Sequence, residues 1–168
     1  QIWNPSLNCL MLEITFGGIE YGCADTCFDT GAERVEIRIS FFTDPFQDLA
    51  ELALAMLRGE TEAMMSFTDE PAEYRLIAIR HGSTYAMRLE QWTDWFSLPP
   101  GMNKLETTHF VVADIDPKSW ALQICVELQR IMPRPGFVNW FLDEDDDETA
   151  RNECVAKIAE LEKMLMQG

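Results

Sequence analysis

Two cysteines, Cys23 and Cys27 in GCADTCF, are the first residues in the chain whose type and spacing suit chemistry. A pair of thiolates can supply half of a tetrahedral zinc site. The other half would have to come from His81 and His109, which lie far along the chain in strand-like patterns. A redox pair normally has two residues between its cysteines, and here there are three. The spacing favours two ordinary thiols in a loop, so neither a metal nor a cofactor is expected. Cysteine-histidine catalysis would need a thiol beside a positioned imidazole. His109, in TTHFVV, reads instead as a satisfied strand residue. Glu70, Glu73, Asp114 and Asp116 are scattered carboxylates that fit many acid/base schemes and single out none. No serine sits in a nucleophile elbow, and FGGIEYG lacks the lysine and spacing of a phosphate loop.

The second candidate is a run of six acids, residues 143–148, inside FLDEDDDETARNECV. Free N–H groups at a helix start carry partial positive charge, and a carboxylate there contributes about 0.3–1 kcal/mol. That accounts for Asp146, Asp147 and Glu148. The effect fades within a turn, so the earlier acids have no local role. Asp143, Glu144, Asp145 and Asp146 are therefore the expected steering charges for a basic partner. The run lacks the alternating ligands and central glycine of a calcium loop. The third candidate is aromatic. Trp92 and Trp95 in WTDWFSLPPG stand among acids before a rigid Pro99-Pro100 pair. They fit a core-covering loop, and they also fit anchors in a protein interface.

Charge is the outlier of the composition. The 168 residues hold 29 acids against 13 bases, a net −16 with a pI near 4.3. Acidity is not confined to the run, since 23 acids remain without it. Such a surface repels nucleic acid and anionic membranes and attracts cations or basic proteins. No apolar stretch reaches the length of a membrane span, and no signal peptide is visible. Five irregularly spaced cysteines fit a reducing cytoplasm. Residues 1–10 read as a non-native leader, with Met11 as a start, and residues 11–168 as one domain.

These residues must be positioned by recognisable elements. MLEITF (11–16) reads as a strand and the glycine-rich stretch after it as a loop. RVEIRISFF (34–42) alternates apolar and polar residues with a strand's period of two. TDPFQDLAELALAMLRGE is a helix with Asp44 as cap, Pro45 at its first position and Gly59 as its stop. Strands follow at EAMMSFTDE, EYRLIAIRH and TYAMRLEQW. Between the last two, Gly82-Ser83 predicts a two-residue turn of type II′. That register sets Ile79 opposite Ala86 and Ala78 opposite Met87. TTHFVVADI (107–115) is a further strand, and Asp116-Pro117 opens a second helix that ends by Pro133. GFVNWFL is ambiguous, and residues 147–166 form a last helix. The expected fold is α+β: a mostly antiparallel sheet of five to six strands with three helices, packed mainly on one face.

Over residues 35–90 the order strand, Asp-Pro helix, LRGE, strand, DEP, strand resembles small acidic bacterial α+β proteins. Some of these are similar to immunity proteins that neutralise secreted toxins. The resemblance implies a bacterial, cytoplasmic protein and carries no catalytic residue across. The expected function is a non-catalytic binding protein, immunity- or antitoxin-like, covering a basic protein such as a nuclease toxin. Two other readings stand beside it. One is a self-associating structural module whose helices, with Met56, Met132, Met164 and Met166, pair in a homodimer. The other is an enzyme using scattered carboxylates or His109.

Overall fold

A computed structural model describes residues 11–20, 22–40, 44–93, 99, 101–140 and 147–168. Within the described residues, seven strands and four helices follow one another in the order βββαββββααα. The strands are β1 (Glu13–Glu20), β2 (Cys23–Asp29), β3 (Arg34–Ser40), β4 (Glu62–Asp69), β5 (Ala72–His81), β6 (Thr84–Trp92) and β7 (Leu105–Ile115). The helices are α1 (Pro45–Leu57), α2 (Pro117–Ile131), α3 (Pro135–Trp140) and α4 (Asp147–Gln167). The α+β class is as expected, but the strands form two antiparallel meanders, β1-β2-β3 and β4-β5-β6-β7, rather than one sheet. α1 intervenes between β3 and β4. Among the described residues the hydrogen bonds between those two strands come from a side chain, the Ser40 hydroxyl meeting the Thr68 carbonyl and hydroxyl.

The strand count rises because β2 lies in the stretch expected to be a loop. Its inward set is Ala24, Thr26 and Phe28, small or polar enough to hide the period of two. At Gly17 and Gly18 two residues of β1 oppose one of β2, a bulge that lets the strand continue to Glu20. The β5–β6 hairpin has the expected register, with Ile79 facing Ala86 and Ala78 facing Met87. Gly82 takes φ 64° in its turn, a conformation that costs glycine nothing. α1 begins as expected: Asp44 accepts the Gln47 N–H at 3.0 Å, and Pro45 follows it. Asp116 repeats the device on the Ser119 N–H at 2.8 Å, which holds its carboxyl below the usual range. α4 starts inside the acidic run, at Asp147, as its charge pattern predicts. The ambiguous GFVNWFL contains most of α3.

One cluster of buried apolar side chains spans both sheets and the helices. Phe28 of β2 stacks on Phe67 of β4 at 5.7 Å, and Phe67 on Tyr74 at 5.6 Å. Phe46 of α1 meets Phe16, Phe137 and Trp140. Large side chains such as Trp120, Phe46 and Leu54 are fully buried, each worth about 1.5–3 kcal/mol relative to exposure.

The free edge of β1 is covered by α2, which reaches over it with side chains. Trp120 Nε1 donates to the Leu12 carbonyl and Gln123 Nε2 to that of Ile14. Glu127 accepts the Phe16 N–H, while Arg130 Nη2 donates to the Phe16 carbonyl and to Glu127. Arg134, just beyond the helix, donates to the carbonyl of Gly17. Spacings of three and four residues put this row on one helical face, where it satisfies backbone groups that another strand would otherwise satisfy. Among the described residues no helix is long and apolar enough to cross a membrane.

Candidate functional site

The cysteines come first. Cys23 and Cys27 stand on the same outward face of β2, four residues apart, which along a strand is about 13 Å. They cannot share a disulfide or a metal at that distance. Burial pushes the Cys27 thiol up, against the pull of Arg34, so it is a poor nucleophile. His81 is exposed at the end of β5. His109 bonds Gln91 Oε1 through Nε2 at 2.8 Å and stacks on Tyr74 at 5.9 Å, the satisfied strand residue expected. Of the scattered carboxylates, Glu73 pairs with Arg75 and accepts from Asn103, and Asp116 caps α2. Among the described residues no three His, Cys, Asp or Glu side chains gather closely enough to hold a metal ion.

Of the expected partner-binding residues, Asp143, Glu144, Asp145, Asp146 and Trp95 lie outside the described residues. Trp92, at the end of β6, is half-buried. Its indole N–H donates to Glu90 Oε2 at 2.9 Å, and the Arg75 guanidinium lies 4.0 Å from the ring centroid. Glu90 also takes Arg88 Nε at 2.6 Å, and Arg75 is bound through Nε and Nη2 to Glu73. Trp92 is thus held in one orientation by two charged neighbours, a rigid aromatic rather than a swinging one.

The structure adds a groove that the sequence did not single out. It lies between α1 and β4 and encloses about 400 Å³. One wall is residues 63–66 of β4, the other is Asp48, Glu51, Leu52 and Ala55 of α1, and Glu60 completes the lining. Leu52, Ala55, Ala63, Met64 and Met65 make it apolar, while three carboxylates rim it. Met64 is 52% exposed.

The carboxylates differ in what holds them. Glu51 lies with Arg58 and Lys157 at 3.1 and 3.0 Å. Burial pushes its carboxyl up, but these two cations outweigh that and hold it below its ordinary value. Asp48 and Glu60 have no ion-pair partner among the described residues. Burial, and then the charge of Asp44 one turn back, push Asp48 up to about 6. Asp44 is itself raised by burial, against the N–H groups of Gln47 and Phe46. Cys154 of α4 is fully buried, and burial, with the nearby Asp44 carboxylate, raises its thiol. A cationic group placed in the groove would relieve the crowding of negative charge at Asp48. The sequence signal was only Asp48 and Glu51 three apart on a helix, which is indistinguishable from a solvated face.

Of the methionines expected to line a pairing face, Met56 is in the core and Met166 is 81% exposed. No protein-family model, curated protein or solved structure matches the chain.

Proposed function

We propose that the chain is a non-catalytic acidic binding protein that covers a basic partner protein, as immunity and antitoxin proteins do, in a bacterial cytoplasm. The observation that carries this reading is the groove between α1 and β4. It combines apolar lining with two carboxylates, Asp48 and Glu60, that no cation of the described residues neutralises. A net charge of −16 adds long-range attraction, which raises the rate of encounter. Trp92, held by Glu90 and Arg75, offers an aromatic contact, and the acids 143–146 add to the negative charge of the sequence. A basic toxin, such as a nuclease whose own site must attract phosphate, is the class of partner that this charge suits.

The test is affinity capture from the source cell at low and at high ionic strength. The expected result is a basic protein held at low salt and released as the Debye length shrinks toward about 3 Å near 1 M. Capture indifferent to salt, or recovery of acidic proteins alone, overturns the reading. A self-associating module is the second reading. It is favoured by Leu122 and Val126, one turn apart on α2 and 54% and 56% exposed. Light scattering of the purified chain over a range of concentrations separates the two.

A further inference from the structure

Among the described residues the four-stranded sheet ends on β4, which is laddered to β5 and to no other strand. At its far end the outer edge of β4 meets Ser40 through Thr68. Along residues 62–67, among the described residues, no backbone hydrogen bond closes that outer edge. Residues 63–66 of this stretch wall the groove. A free strand edge is a row of unpaired donors and acceptors that templates another strand. β1 has its edge covered by α2, whereas this part of β4 faces an open cleft with α1 on its far side.

We infer that the groove takes an extended, cationic segment of the partner, which adds to the sheet beside β4 and brings a lysine or arginine to Asp48. The inference rests on the binding function proposed above and gives that function a docking mode. Main-chain hydrogen bonds to β4 supply sequence-independent attraction, and alternate side chains supply selectivity. In an added strand every second side chain points to one face. One set meets Asp48, Leu52 and Ala55, and the other covers the exposed Met64. A segment alternating basic and apolar residues satisfies both. Four edge residues limit the pairing to a short stretch of about 13–17 Å. A helix would leave the strand edge unpaired, and an acidic or neutral strand would leave Asp48 and Glu60 without a cation. A second copy of the chain, also carrying −16, meets the groove with repulsion.

The probe is a fluorescein-labelled octapeptide of alternating lysine and valine, titrated with the full chain at low ionic strength and read by anisotropy. Three comparisons accompany it. One peptide carries glutamate for lysine. Another keeps the lysines but has every second backbone nitrogen methylated. The third comparison sets Asp48→Asn with Glu60→Gln against Glu148→Gln with Glu153→Gln, an equal charge change on exposed α4. Binding of the lysine peptide is expected to weaken about fivefold or more in the groove variant and less than about twofold in the α4 variant. Methylation is expected to weaken it about tenfold. Equal weakening by the two variants, or indifference to methylation, overturns the groove and leaves the acidic-binding reading standing. Failure of the unmodified lysine peptide to bind better than the glutamate peptide overturns both. A concentration-dependent dimer dissociated by Met64→Arg assigns the edge to a second copy and overturns the inference.

Discussion

The Glu127 carboxylate accepts the N–H of Phe16 at 2.7 Å, across 111 residues of chain. Both residues are buried, and Arg130 binds the same carboxylate while reaching the Phe16 carbonyl. The group replaces a neighbouring strand. Truncation to Ala would strand a buried N–H and leave Arg130 without its counterion, so Glu127→Ala is expected to cost about 2–4 kcal/mol. Glu127→Gln keeps an acceptor and is expected to cost about half as much. Urea unfolding midpoints of the two variants check the ordering.

Gly136, in the first turn of α3, is pressed against β1. A Cβ built there would lie 1.9 Å from the Ile19 carbonyl oxygen. The obstacle is backbone, so it cannot swing aside. Gly136→Ala is expected to lose about 3 kcal/mol, at the upper end of overpacking costs, and thermal unfolding would show it. Gly31→Ala is strained by its φ of 81° but meets nothing within 4 Å, and is expected to lose less.

Asp48 gives a pH dependence of definite sign. Its carboxyl titrates near 3.8 in the unfolded chain and at about 6 in the fold. The protonated form is therefore the one the fold prefers. Its contribution is fully present below about pH 4 and is lost as pH rises through about 6. Asp48→Asn removes that loss. Because the side chain is only partly buried, the gain at pH 7 is expected to be about 1 kcal/mol rather than the full linkage value. Denaturant titrations at pH 4 and 7 should differ less for the variant than for the parent.

Tyr85 closes the end of α1. Its hydroxyl lies 3.2 Å from the Met56 carbonyl and 2.7 Å from that of Glu60. Tyr85→Phe is expected to cost about 1–2 kcal/mol. Faster amide exchange in the last turn of α1, rather than throughout the protein, would confirm a local role.

The elements were legible where local chemistry decides them. Asp44-Pro45 and Asp116-Pro117 started their helices, and Gly82 with its alternating flanks set the hairpin register to the residue. β2 was not legible. Its inward positions are Ala24, Thr26 and Phe28, so the apolar signal falls on one residue while glycines on either side suggest a loop. The division into two sheets is a matter of topology, since α1 takes the chain away after β3 and nothing in the strands records that. The candidate site was less legible still. Asp48 and Glu60 acquire their character only when β4 comes to lie beside α1. The row Trp120, Gln123, Glu127 and Arg130 carries no signal of its own in the sequence, because its purpose depends on which strand has no neighbour. Of the acidic run, Asp147 and Glu148 lie in the first turn of α4 as described, and the earlier acids fall outside the described residues.

The bridge from α2 to β1 also has a meaning in time. β1 to β3 are complete once Ser40 has been made, but the helix that shields their open side is 108 residues beyond Leu12 when Trp120 arrives. At about 5–20 residues per second the ribosome leaves that side bare for several seconds or more. A nascent chain stalled before Trp120 should therefore recruit chaperones, and one stalled after Arg134 has emerged should release them. The shield for this edge is thus made only after the strands that need it.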